Sequence, residues 1–331
     1  MKFLLRTFLL LALSLALLAG GFHGWLKQPL RLPADNVEFR IPAGTGLRGV
    51  VRILDQAGVK VQGELLVLAA RLSGKEGSIR AGTYGIAAGT TPEALLDALV
   101  EGKVLQVEVR LIEGWTFRQW RSLLTAHQGL EHVTTALDER ELMQKLGFPD
   151  IAPEGMFFPD TYRVDKYSTD LELLSQAARA MQRHLEREWA GREPGLPYRT
   201  PYEALIMASL VEKETGVAAD REMVAGVFVN RLRSGMRLQT DPAVIYGLGE
   251  RFDGNLRKVD LQTDTPFNTY TRTGLPPTPI AMPGLAALQA ALHPARTGAF
   301  YFVARGDGSS HFSRTLDEHE QAVNRYQRRA R

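Results

Sequence analysis

Hydrophobic positions along the chain fall into three rhythms. Between Arg6 and Lys27 they run almost unbroken, as TFLLLALSLALLAGGFHGWL, about the twenty residues a helix needs to cross a bilayer core. From residue 37 a shorter unit recurs: an apolar strand, a Gly-containing turn, a Thr and an amphipathic helix. Its copies are VEFRIPAGTGLRGVVRIL, TYGIAAGTTPEALLDALV and VEVRLIEGWTFRQWRSLL. Their unequal spacing argues against a solenoid. Thr91 before Pro92, and Thr116 with Gln119, supply caps for the second and third helices. With a further helix at GELLVLAARLSG, residues 37–106 read strand, helix, helix, strand, helix, a compact α+β module. That order is like a LysM-type glycan-binding module, and it equally suits a plain spacer.

The third rhythm is helical. Helices are expected over 116–127, 138–145 and 168–190, and PEGMFFPDTYRV interrupts them as a rigid loop and strand. Its Phe157, Phe158 and Tyr162 suit either a core or the apolar face of a sugar ring. In TPYEALIMASLVEKETG, Thr200 is a good N-cap, Pro201 fits the first helical position and Glu203 completes a capping box. Ile206, Met207, Leu210 and Val211 then share one face; Glu214 falls on it and Glu212 points away. Gly216 is the expected helix stop. Asp220 is expected to cap the next helix and Gly235 to end it; Thr240 or Asp241 caps a short helix opened by Pro242. TPFNTYTRTGLPPTPIAMPG, with five prolines, reads as the wall of a cleft. A helix over 284–292, strands AFYFVARG and HFSR around GDGSS, and a last helix complete the pattern.

The fold class is therefore α+β, in five segments: a transmembrane anchor (1–27), a linker (28–36), the LysM-like module (37–106), a larger α+β domain (107–327) and a basic tail (328–331). Composition narrows the function. Lys and Arg total 40 against 37 Asp and Glu, scattered without aromatic interleaving, so nucleic acid is a poor partner. With no Cys, neither a disulfide framework nor a lipid-modified cysteine is available. Lys2 and Arg6 hold the short N-terminal end in the cytoplasm and the rest outside. A cleavable signal peptide is the other reading, since LLAGG offers small residues, but the apolar run continues to Trp25 and Leu26.

There is no phosphate-binding loop, HExxH or GxSxG motif, and His293, His311 and His319 fit no common metal spacing. No metal and no cofactor are expected. Glu214 is the unusual group: burial and a helix C-terminus both favour its protonated form, as a general acid near neutral pH requires. An ion pair with Arg231 or Arg237 would explain the same position without chemistry.

ASLVEKETGVAADREMVAGVFVNRLRSGMRLQTDPAVIYGLG, FNTYTRTGLPPTPIAMPG, LHPARTGAFYFVARGDGSSHFS and EGMFFPDTYRV closely resemble blocks of the endolytic murein transglycosylases, the YceG-like family. The resemblance covers almost the whole chain. It implies a single-pass enzyme of the inner membrane, its catalytic domain on the periplasmic side, that cleaves peptidoglycan glycan strands internally and limits their length. It also implies that the second Glu of the VEKET block, Glu214, is catalytic, with the 6-hydroxyl of the N-acetylmuramyl residue as nucleophile. Gln239, Thr240, Asp241, Asn268 and Tyr270 are the candidates for gripping acetamido groups and hydroxyls. A two-carboxylate hydrolase would draw its second acid from Asp241, Asp160 or Glu154. The rivals are a muramidase acting on the same bond and a non-catalytic tethered protein that recruits cell-wall synthases, which are the further expected partners.

Overall fold

The computed structural model describes residues 2–328, so the expected tail at 328–331 lies, beyond Arg328, outside the described residues. The chain forms two compact units. One comprises residues up to Glu108 together with Arg163–Ser168; the other comprises Val109–Tyr162 and everything from Thr169 onward.

The first unit begins with helix α1 (Lys2–Leu26), whose stretch Phe3–Leu26 is long and apolar enough to cross a membrane, with mean hydropathy 2.2. Its leucines are exposed as far as Leu18. Phe22, Trp25 and Leu26 instead pack on the core of the same unit, so the last turn of the apolar run is a docking turn. The expected strand-helix order follows: β1 (Asn36–Ile41), α2 (Leu47–Gln56), α3 (Gly63–Leu72), β2 (Gly82–Ala87) and α4 (Pro92–Glu101). Alternation in β1 puts Val37, Phe39 and Ile41 inside. β1 and β2 pair antiparallel, Phe39 opposite Tyr84, and these rings stack at 5.9 Å. Val50, Leu54, Leu66, Leu95 and Leu99 from the three helices close this core. Strands β3 (Gln106–Arg110) and β4 (Thr161–Asp165) pair with each other, and the division between the units cuts both.

In the second unit the helices are α5 (Phe117–Ala126), α6 (Glu139–Lys145), α7 (Asp170–Ala190), α8 (Pro201–Glu214), α9 (Arg221–Arg233), α10 (Asp241–Leu248), α11 (Lys258–Gln262) and α12 (Leu285–Leu292). A hairpin of β5 (Tyr301–Ala304) and β6 (Ser310–Ser313) precedes α13 (Leu316–Val323). Capping boxes start α5, α6, α7 and α13. Helix α8 is the axis of the unit, packed against α7, α9, α10 and α12, and every residue from Ala204 to Val211 is buried. It is enclosed on all sides rather than amphipathic, as a helix apolar all round must be. Phe157 belongs to the core, stacked on Phe117 at 5.4 Å. The turn before it needs Gly155, whose φ is +79° and where a Cβ would come within 2.5 Å of Pro279.

Several expected caps take other roles. Asp220 sits in a short 3-10 turn and makes no cap bond; its carboxylate accepts from the Ser310 N–H at 2.6 Å, tying the hairpin to the start of α9. Neither Thr240 nor Asp241 caps α10 with its side chain. Helix α8 ends not on a left-handed Gly216 but where Thr215 turns extended, with φ −145°. The proline-rich segment does line cavities, through Tyr270 and Ile280, and its end is also core: Ile280, Ala281 and Met282 are buried.

Candidate active site

Glu214 is the final residue of α8, so the extended Thr215 carries the chain away and leaves the carboxyl at a helix end that donates no N–H to it. It lines a cavity of about 380 Å³. The lining also takes in Arg231 on α9, Gln239 and Asp241 around the start of α10, Tyr270, Tyr301 and Phe302 of β5, and Leu316 and His319 of α13. Burial pushes the Glu214 carboxyl up to about 7; the Thr240 hydroxyl opposes that rise, the Asp241 charge adds to it and the Arg231 charge counters it. Thr240 itself is buried, and among the described residues the only group its hydroxyl acts on is the Glu214 carboxyl.

Arg231 does not form the ion pair with Glu214 that the sequence allowed. Its Nε donates to the Phe300 carbonyl at 2.7 Å, and one Nη donates to the Arg237 carbonyl at 3.1 Å, the Leu238 carbonyl at 3.0 Å and Gln239 Oε1 at 3.1 Å. The guanidinium also lies over the Tyr301 ring at 5.1 Å. Arg231 thus binds the hairpin and the segment before α10 to α9, and acts on Glu214 through its field alone. Arg237 is exposed and offers Arg231 only its carbonyl.

Of the five residues expected to hold sugar, the cavity collects Gln239, Asp241 and Tyr270. The Tyr270 hydroxyl donates to Asp241 at 2.5 Å, and burial, then this bond, raises the phenol above its usual range. Gln239 adopts a left-handed backbone, φ +52°, which costs a non-glycine residue about 1 kcal/mol. Its N–H donation to the Thr269 carbonyl at 3.1 Å and the bond from Arg231 hold it there. Thr240 and Asn268 stand behind the lining, not in it. Asn268 is fully buried, its amide donating to the Asp260, Leu261 and Thr263 carbonyls while its oxygen accepts from the Tyr270 N–H. With its bonding capacity used inside the loop, Asn268 shapes the approach to Tyr270 and does not face a ligand.

The other acids are dispersed. Asp241 is the one further acid lining this cavity among the described residues. Glu154 is buried in the wall of a different cavity, and Asp160 is exposed beside a third, accepting from the Thr161 N–H. Glu212 does not point freely into solvent: half-buried, it accepts from the Gly284 N–H at 3.0 Å at the start of α12, and burial raises its pKa. His319 and the β5 aromatics were not singled out as site residues from sequence. The His319 ring stacks on Tyr301 at 5.2 Å, and burial, then the Arg231 charge, lowers its pKa. Among the described residues no group of three or more His, Asp or Glu side chains is placed to hold a metal.

A sequence profile of the YceG-like family matches residues 39–325. A Bacillus subtilis protein named endolytic murein transglycosylase is 32% identical over 319 residues, covering 91% of this chain and 88% of its own length. A Streptococcus pneumoniae protein of the same name is 28% identical over 351 residues, and the match takes in 93% of this chain but 63% of that longer one. A crystal structure of a yceG-like protein from Listeria monocytogenes superposes with a TM-score of 0.57 at 28% identity, covering 87% of this chain and 98% of the other.

Proposed function

This chain belongs to the YceG-like family, and from that premise we propose that it is an endolytic murein transglycosylase in which Glu214 is both general acid and general base. The observation that carries the reading is a helix-end carboxyl, held toward its protonated form by burial, in a cavity lined by both polar groups and aromatic rings. Protonated Glu214 donates to the departing glycosidic oxygen, and the N-acetylmuramyl carbon loses its bond to that oxygen. The carboxylate then takes the proton from the 6-hydroxyl of the same sugar, whose oxygen closes the 1,6-anhydro ring. Water is not a reactant, so a second acid to activate it is not needed. Asp241, the other acid of the cavity, is engaged by Tyr270 and fits a sugar-holding role together with Gln239 and Tyr270.

The test is the mass of the glycan fragments released by the purified protein. Ends in 1,6-anhydro-N-acetylmuramic acid are expected, one water lighter than the product of a hydrolase. Reducing ends would replace this mechanism with a muramidase, and intact strands would leave a binding scaffold.

The rate should also depend on pH in a definite sense. Glu214 must start protonated, and its pKa is raised to about 7, so the rate is held below that pH and falls as pH rises through it. A pH profile of kcat/KM on isolated glycan strands checks this; a rate that climbs steadily from pH 6 to 9 would deny Glu214 the acid role.

In this reading α1 is a single-pass anchor in the cytoplasmic membrane and the second unit works on its outer side, with peptidoglycan as the macromolecular partner. Residues 37–106 act as a LysM-like glycan-binding module, 28–36 as the linker and 107–327 as the catalytic domain. The antiparallel β1–β2 pair enclosing α2 and α3 supports the module's part. Cell-wall synthases are the protein partners this placement suits.

A further inference from the structure

Two cavities of the second unit are lined by neighbouring residues of the same two helix ends. The smaller contains Glu214 and Asp241. The larger, about 710 Å³, is lined by Lys213 and Pro242, the immediate chain neighbours of that pair. Lys213 and Glu214 end α8, Asp241 and Pro242 begin α10, and these helices pack together. Successive residues of a helix point about 100° apart. One ridge, built from two helix ends, therefore faces the smaller cavity with its acids and the larger with Lys213 and Pro242. A polymer lying across Glu214 and continuing over the ridge passes from one cavity into the other.

The lining of the larger cavity suits such a polymer. Pro242, Ile245 and Tyr246 offer apolar surface, while Thr116, Gln119 and Lys213 offer hydrogen bonds. This is the mixture a pyranose presents in complement, an apolar face rimmed by hydroxyls. Glu154 lies in the wall, 5% exposed, its two carboxyl oxygens at 3.1 and 3.2 Å from the Phe117 N–H. Burial raises its pKa to about 7, and the chemistry at Glu214 makes no use of it.

We infer that the larger cavity is a second run of glycan subsites, holding the sugars beyond the ridge from the bond that Glu214 cleaves. The inference rests on the proposed transglycosylase reading and adds to it. Internal cleavage requires sugars to be held on both sides of the scissile bond, and binding energy gathered away from that bond is what positions it. The cavity across the ridge is the place built to collect it.

The experiment uses the full chain carrying Glu214→Gln, so that bound glycan is not consumed, titrated with peptidoglycan oligosaccharides of increasing length. Two further substitutions plug the larger cavity: Ala152→Trp, at a half-buried lining position, and Arg118→Trp, at an exposed position of α5 that leaves the core untouched. Affinity should rise with length until both cavities are filled. Either plug should cancel that gain, about tenfold for the longest oligomers, and leave the shortest bound oligomer within about twofold. In the Glu214 protein the same plugs should lower kcat/KM on long strands and spare the shortest cleaved substrate. Melting temperatures identify a plugged variant that has not folded, and the other then decides. Equal binding of long oligomers with and without a plug, in a folded protein, overturns the inference. Loss of the transglycosylase reading is seen separately, as an unplugged wild-type protein that releases no anhydro ends.

Discussion

Glu214→Gln is expected to leave a folded protein whose cleavage of glycan strands falls by at least about 10⁴-fold, beyond the upper end of what one proton transfer is worth, because one group performs two. Glutamine keeps the shape of the side chain, so the cavity stands, but it neither gives the glycosidic oxygen a proton nor takes one from the 6-hydroxyl. It also removes the desolvation cost of a carboxylate in a site where burial pushes the group up to about 7, so the melting temperature at pH 8 should hold or rise. Activity and stability thus move in opposite directions, which a group kept for structure would not do. Glu212→Gln is the natural comparison. Its Oε2 accepts from the Gly284 N–H, and the glutamine oxygen can still accept that bond, so a change of a few-fold at most is expected. Full activity in folded Glu214→Gln protein would remove Glu214 from the mechanism.

The carboxyl could be found in the sequence because its signal is local. An acid one and two turns from Leu210 and Met207 stands out on any helical wheel, and α8 does put those residues in the core. What the wheel does not show is what lies on the helix's other face: it sets Glu212 away from Glu214, and there the start of α12 meets it. Arg231 was visible too, but as an ion-pair partner. A wheel shows that an arginine is inward and not which acceptors meet it, and here carbonyls from Phe300, Arg237 and Leu238 reach it first. Asn268 illustrates the converse limit. Polar residues in a proline-rich loop look exposed, yet the Asn268 amide is turned inward to the carbonyls that the end of α11 leaves unpaired. Tyr301, Phe302 and His319 lie far from Glu214 in the chain, and only the packing of the β5–β6 hairpin and α13 brings them to it. The strands themselves were legible from alternation around the GDGSS turn. Nor does linear reading anticipate that Arg163–Ser168 returns to the first unit, because strand pairing partners are not local.

Arg231→Met should produce the largest loss of stability of any single change at the site. The guanidinium is buried, at 7% exposure, and its donors satisfy three backbone carbonyls and Gln239 Oε1. Methionine fills much of the volume and leaves all four acceptors without their donor. Each buried orphan costs about 1–3 kcal/mol, but they are not additive and water from the adjoining cavity recovers part, so a total of about 3–5 kcal/mol is expected. The consequence reaches catalysis by two routes. The segment from Arg237 to Gln239 loses its clamp, which frees Gln239 from a left-handed backbone it holds only under constraint. The charge that counters the rise in the Glu214 pKa also disappears, so the alkaline fall in rate should move to higher pH in whatever activity survives. Arg231→Lys separates the two routes: an ammonium keeps the charge but cannot present the planar fork to acceptors on several sides. It should return the alkaline limb toward its wild-type position while regaining little of the melting temperature. An Arg231→Met protein that melts with the wild type would show that the clamp contributes nothing. An Arg231→Lys protein whose alkaline limb stays where Arg231→Met puts it would show that the field of Arg231 does not set the acidity of Glu214.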